Sequence, residues 1–204
     1  MNDEKLNYSY DFWFHNPDRG FMDSWNNGGE DYYVNFFYED IVANLNIPNE
    51  GYIVVLGTYR CVSFEKLCKI YGEDRCVGYD LHNPAQHPRV ITKDCMLLSE
   101  EDDIPIAFCH NDLGSFSLTP ELKTHGQKWA ARNMISGGYF LGNNNYNRSK
   151  IDVESIMLDA GMENTHLKDL DPSNFDLSRL RKWAVDCGRS SEDRLESYML
   201  SRRR

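Results

Sequence analysis

The segment Tyr52-Ile53-Val54-Val55-Leu56 is an unbroken apolar run closed by Gly57. Such a run, rich in β-branched residues, reads as a strand buried on both faces, because a half-exposed strand would alternate apolar and polar positions. A sheet built from strands of this kind needs helices above and below it. The residues that follow supply them. Phe64, Leu67, Cys68 and Tyr71 recur at helical spacing ahead of Gly72, a C-terminal cap. Arg75–Asp80 predicts a second strand, Arg89–Thr92 a short third, and Ile104–Cys109 a fourth that ends at His110. Thr119 and Pro120 open a helix as N-cap and first helical residue, with Leu122, Gly126, Trp129 and Ala130 on its buried face. Met134–Gly142, entered through Gly137-Gly138, predicts a fifth strand. Val153, Ile156, Met157 and Ala160 mark a further helix stopped by Gly161, and another strand is expected near Met162–Leu167. Strands alternating with helices predict an α/β fold, a Rossmann-like three-layer sandwich around a mostly parallel sheet.

Three segments are expected. Residues 1–48 form an aromatic-rich N-terminal cap, with rings dense between Tyr8 and Tyr38. Tyr32, Tyr33, Phe36, Phe37 and Ile41 suit a helix lying on the sheet; the same rings could line a pocket or a homodimer surface. Residues 49–170 form the Rossmann-like domain. Residues 171–204 form a C-terminal helical segment packed on the same domain. There Leu177, Leu180, Ala184 and Cys187 make an amphipathic helix, and Ser190–Arg204 is expected as a polar helix ending in three solvated arginines.

Charge narrows the partners. Lys and Arg total 22 against 32 Asp and Glu, a net charge of −10. That balance disfavours a phosphate backbone, whose binding needs clustered cations. No apolar run approaches the roughly 20 residues that span a bilayer. The start, MNDEKLNYSYDFWF, lacks a basic leader, so a cytoplasmic protein is expected. None of the six cysteines (Cys61, Cys68, Cys76, Cys95, Cys109, Cys187) forms a CxxC pair, and all are read as free residues, mostly buried.

In an open parallel sheet, ligands bind beyond the carboxyl ends of the strands. Gly57, Thr58 and Tyr59 follow the first strand, where a glycine turn lets a ligand approach the backbone and the next helix N-terminus favours a negative group. Asp80 ends the second strand, 23 residues after Gly57. A carboxylate there can accept both hydroxyls of a ribose. Asp94 follows the third strand and could meet an adenine amino group. His110, Asn111 and Asp112 follow the fourth, and Asn143-Asn144-Asn145 the fifth. His110 or Asp112 could act as a general base. A metal site on Asp80, His82 and His87 is not expected, since the loop to Pro88 carries two prolines and no fixed geometry.

Together these residues resemble a class I S-adenosylmethionine-dependent methyltransferase over roughly residues 50–168. The likeness is clearest to the macrocin O-methyltransferase-like branch. Its motifs GVYRGGS, GFD with a following proline, HxDxDxY and GG…DDY read here as Gly57–Ser63, Gly78–Asp80 with Pro84, His110–Phe116, and Gly137–Gly142 with Asn144-Asn145-Tyr146. The resemblance implies a methionine end over Gly57 and Thr58, ribose hydroxyls on Asp80, Leu81 against the adenine, and Asp94 and Cys95 flanking it. It also implies O-methylation of a small-molecule or sugar-like acceptor. The residues themselves offer His110 and Asp112 as catalytic groups, either taking the hydroxyl proton, with Asp112 alternatively a metal ligand, and His110 and Asn111 as further cofactor contacts. The family's divalent metal is not carried over, because the second acid of DxD is Gly114 and both DDY acids are asparagines. The acid before the first glycine is replaced by Val55-Leu56, and the later glycines by Cys61 and Val62. A cofactor-binding or interaction protein without catalysis stands as the alternative.

Overall fold

The computed structural model describes residues 37–58, 61–81, 83, 85–112, 120–143, 152–186, 195–196 and 198–204. Within them a seven-stranded sheet runs β3-β2-β1-β4-β5-β7-β6. The strands are β1 (Tyr52–Leu56), β2 (Cys76–Asp80), β3 (Val90–Thr92), β4 (Ile106–Asn111), β5 (Met134–Asn143), β6 (Met162–His166) and β7 (Tyr198–Arg203). The ladders from β3 to β5 are parallel, and β7 enters antiparallel between β5 and β6. The helices are α1 (Val62–Tyr71), α2 (Pro120–Asn133), α3 (Val153–Asp159) and α4 (Ser178–Asp186).

β1 is the strand expected from its apolar run: Ile53, Val54, Val55 and Leu56 are wholly buried. Alternate residues feed two cores. Ile53 and Val55 pack with Phe37, Tyr38, Ile41, Phe64 and Leu67 on one face. Val54 and Leu56 pack with Trp129, Ala130, Val153 and Met157 on the other. The three layers are therefore α1, α4 and the turns at 37–44; the sheet; and α2 with α3. On the first face Arg179 of α4 donates to Asp40 Oδ2 at 2.8 Å and to Glu39 Oε2 at 3.0 Å, tying the C-terminal helix to the 37–41 turn.

Two expectations are corrected. The fourth strand begins at Ile106 and continues through Asn111, so His110 lies inside the sheet rather than after it. Its Cα partners are Val55 and Leu141. The chain end is a strand, not a frayed helix. Tyr198 and Leu200 face the first core and Met199 the second, an alternation too short to stand out among polar neighbours. The terminal arginines are engaged: Arg202 lies over the Tyr139 ring at 5.5 Å, Arg203 donates to the Ala160 carbonyl, and Arg204 pairs with Glu163.

This placement predicts unequal costs along the last seven residues. Met199→Ala removes a fully buried side chain and should destabilise by about 2–4 kcal/mol, whereas Arg204→Ala should cost under about 1 kcal/mol. Equilibrium urea unfolding measures both; equal, small effects would contradict a buried C-terminal strand.

Candidate functional site

Strand order reverses on either side of β1, with β2 and β3 on one flank and β4 and β5 on the other. A switch point of this kind is where open α/β sheets take their ligands, in a crevice beyond the carboxyl ends of the strands. The backbone ladder sets what lines it. Leu56 pairs with Tyr79 and with Asn111. The Gly57 N–H donates to the Tyr79 carbonyl at 2.8 Å, and the Asp112 N–H donates to the Leu56 carbonyl at 2.9 Å. Gly57 is thus held beside the tip of β2 on one side and next to the end of β4 on the other.

The turn after β1 is built for a close backbone. Gly57 has φ +86°. Cys61, at the N-cap of α1, takes a left-handed φ of +65° where a glycine would be at ease, at a cost of roughly 1–2 kcal/mol. Its N–H donates to the Thr58 carbonyl at 2.8 Å and closes the loop. Thr58 is wholly buried, and its Oγ1 has no hydrogen-bond partner among the described residues. Its methyl group occupies the space above Gly78: a Cβ on Gly78 would lie 2.5 Å from Thr58 Cγ2 and 2.9 Å from Val90 Cγ2. Gly78 is required by this packing. Tyr59 and Arg60 lie outside the described residues.

The second wall follows β3. The Lys93 N–H donates to the Asp80 carbonyl at 2.8 Å, which brings the residues after β3 against the tip of β2. Asp94 caps the short turn Cys95–Leu97 by accepting from the Met96 N–H at 2.8 Å. Asp102 closes the segment: Lys93 Nζ donates to its Oδ2 at 2.7 Å, and that ammonium holds the carboxyl below its ordinary range, aided by Ser99. His125 of α2 meets the Leu98 carbonyl through Nε2 at 2.7 Å. Cys95 is buried, its thiol pushed up to about 12 by burial and by the nearby carboxylates of Asp80 and Asp94. Leu81 and Met96 are exposed beside this wall.

The structure therefore brings Gly57, Thr58, Asp80, Leu81, Asp94, Cys95, Asn111 and Asp112 to one end of the sheet. His110 is set apart from them. It is 1% exposed, and its Nδ1 meets the Tyr38 hydroxyl at 2.7 Å. The Tyr38 ring stands edge-on to it at 5.6 Å, and Phe37 lies 6.5 Å away. Burial pushes its pKa down to about 3, so the imidazole is neutral near pH 7. Tyr38 is the participant that sequence reasoning missed; its place in an aromatic-rich segment gave no sign of a polar partner 72 residues away. His82, the residues 113–119 and 144–150, and hence Gly114, Asn144 and Asn145, lie outside the described residues. Among the described residues no three His, Cys, Asp or Glu side chains gather as a metal-binding set, and no helix is long and apolar enough to cross a membrane.

No protein-family model matches the chain, and no curated protein matches it. Solved structures do. A TehB-like SAM-dependent methyltransferase from Corynebacterium glutamicum superposes with a TM-score of 0.56 at 13% identity, over 91% of this chain and 97% of that one. A Haloferax volcanii methyltransferase in complex with the Trm112 methyltransferase activator gives 0.52 at 19% identity, over 90% and 95%. The plantazolicin methyltransferase BpumL, solved with S-adenosylhomocysteine, gives 0.53 at 12% identity, over 95% and 93%. The fold is the Rossmann-like fold of S-adenosylmethionine-dependent methyltransferases. At these identities the likeness is one of architecture, and the chemistry rests on the residues.

Two outcomes are expected from the local packing. Gly78→Ala should destabilise the protein by about 1–3 kcal/mol, because the new methyl group must displace Thr58 or Val90; calorimetric unfolding measures it. His110 makes stability depend on pH. The unfolded chain takes up a proton on this residue below about pH 6.5, which the folded chain refuses until about pH 3, so stability falls as pH drops through that window. Urea unfolding at pH 7 and pH 4.5 should show His110→Gln losing less stability on acidification than the parent, by about 2 kcal/mol. An identical loss in both proteins would place the imidazole in solvent.

Proposed function

We propose that the protein is an S-adenosylmethionine-dependent methyltransferase acting on an oxygen of a small-molecule or sugar-like acceptor. The observation that carries this reading is the convergence of a glycine turn, a strand-end carboxylate and a capped polar turn around the β1/β4 switch point. The residues present fit an adenosyl group. Gly57 lets the backbone approach a ligand, Thr58 offers a buried hydroxyl in need of a partner, and Asp80 supplies two acceptor oxygens at the tip of β2.

Gly57, Thr58 and Tyr59 would then hold the methionine end. Asp80 would accept the ribose hydroxyls. Leu81, Asp94 and Cys95 would flank the adenine, and Asn111 would border the reacting end. Bound there, the cofactor supplies a methyl group already electrophilic through its sulfonium. What remains for the chain is to bring an acceptor oxygen into line at about 3 Å and to take its proton. Asp112 is the base in this reading. His110, neutral and bonded to Tyr38, supports the end of β4 from below. The likeness of the strand-end motifs to the macrocin O-methyltransferase-like branch favours oxygen over nitrogen as the nucleophile. In this reading residues 1–48 would cap the methyltransferase domain of residues 49–170, and residues 171–204 would belong with that domain.

The missing acids at Gly114, Asn144 and Asn145 favour a second reading, a cofactor-binding protein without turnover. Titration calorimetry with S-adenosylhomocysteine tests the site common to both. Asp80→Ala should weaken binding at least tenfold, roughly the worth of charged hydrogen bonds to a ribose, with the unfolding temperature little changed. No binding to the folded parent protein would overturn the proposal. Binding in the parent, with no methyl transfer to any hydroxylated acceptor, would select the second reading.

A further inference from the structure

The segment after β3 is fastened at three places. Its middle is held by burial: Cys95 and Leu98 are each 3% exposed in the second core, and His125 of α2 meets the Leu98 carbonyl through Nε2 at 2.7 Å. Beyond its far end, Asp103 Oδ1 accepts from Arg132 Nη2 at 2.6 Å and from Asn133 Nδ2 at 2.9 Å, which ties the chain to the last turn of α2. Across the segment, Lys93 and Asp102 join the two ends. The Lys93 ammonium donates to both carboxylate oxygens of Asp102, at 2.5 Å and 2.7 Å.

Asp102 has two kinds of partner. Ser99 is local. Its N–H donates to Oδ2 at 2.8 Å and its hydroxyl at 3.2 Å, while the same hydroxyl accepts from the Glu101 N–H at 3.3 Å, a capping box on the turn Glu100–Asp102. Lys93 is nine residues away, and its own N–H donates to the Asp80 carbonyl at 2.8 Å. Taking away the ammonium leaves the capping box intact and releases the near end of the segment from the far end. The side chains of Lys93 and Asp102 are 30% and 16% exposed. An ion pair open to water to this extent adds little to global stability, and its effect falls on local order. Between the joined residues, the Met96 N–H donates to Asp94 Oδ1 and the Leu97 N–H to the Asp94 carbonyl, both at 2.8 Å. Those two amides report whether the turn is closed.

We propose that the Lys93–Asp102 ion pair is a clasp that holds the adenine wall in its ligand-ready shape, which makes Lys93 and Asp102 positioning residues for the adenosyl group. The inference rests on the adenosyl-binding reading given above. Both residues act through Asp94 and Cys95, which lie between them in the chain, rather than by contact with the ligand. A wall ordered before binding spares the ligand the entropy of ordering it. Where the clasp is open, affinity falls in proportion to the fraction of molecules whose wall is out of place. The link from the Lys93 N–H to the Asp80 carbonyl joins this wall to the strand tip that carries the ribose acceptor, so the clasp also fixes the two halves of the nucleoside site against each other.

Lys93→Met nearly keeps the length of the side chain and removes its charge; Asp102→Asn keeps an acceptor for Ser99 and removes the other charge. Titration calorimetry on the full chain should show either variant binding S-adenosylhomocysteine, and adenosine alone, about three- to fivefold more weakly than the parent, the range open to a partly exposed pair. An equal loss for both ligands places the effect at the adenine side. Lys93→Arg should restore the affinity. Without ligand, the Met96 and Leu97 amides should exchange hydrogen faster in Lys93→Met by a similar factor, with the β1 amides unchanged. The unfolding temperature should move by less than about 4 °C. Parent affinity in both charge-removing variants, or Met96 and Leu97 amides exchanging at the parent rate, overturns the inference and leaves the functional reading standing. A loss that Lys93→Arg does not restore overturns it as well. No binding of S-adenosylhomocysteine to the parent overturns the functional reading itself, and this inference with it.

Discussion

Burial of β1 on both faces is the constraint on which the rest of the molecule depends. Ile53, Val54, Val55 and Leu56 lose all contact with water, and each large side chain contributes about 1.5–3 kcal/mol by that transfer. A strand so buried must place every backbone group in a ladder, since an unpaired one would cost more than its side chain gains. The ladders to β2 and β4 follow, and they leave one position for the residue after Leu56. Gly57 therefore arrives between the tip of β2 and the end of β4 as a consequence of core packing.

The polar groups near that point divide by depth. Asp80, Asp94 and Asp112 stay at the strand tips, partly open to water. His110, one residue deeper than Asn111 and turned to the other face, meets aromatic rings and a tyrosine hydroxyl. A buried imidazole with a neutral partner keeps its hydrogen bond and gives up its proton. The same sheet thus provides carboxyl oxygens at its rim and a neutral polar pair just below, separated by the alternation of side chains along β4.

Much of this was legible in the residues. The apolar run at β1, the glycines and the helical spacing identified six of the seven strands and the four helices, because each signal is local and repeated. The rim residues were legible for the same reason: strand ends are where an apolar run stops. Two features were not. β7 is a short strand whose partners lie near 140 and 164 in the chain, and nothing local marks it apart from three apolar residues amid charges. The depth of His110 depended on where β4 begins. Pro105 has no N–H to give, and its carbonyl instead accepts from Tyr52 at 2.8 Å, so the ladder starts at Ile106 and runs on to Asn111. Cys61 is a third case of hidden information. The loop puts Cys61 in a left-handed conformation, which a glycine would have announced in the sequence and a cysteine does not.

The central claim is that the crevice between Gly57 and Asp80 accepts an adenosyl group. A crystal structure of the full chain grown with S-adenosylhomocysteine tests it most directly. Ribose density within hydrogen-bond distance of the Asp80 carboxylate, with the amino-acid end over Gly57 and Thr58, is the predicted result. Density for the ligand elsewhere on the protein, or a crevice filled by the chain's own N-terminal residues with the ligand excluded, would contradict it.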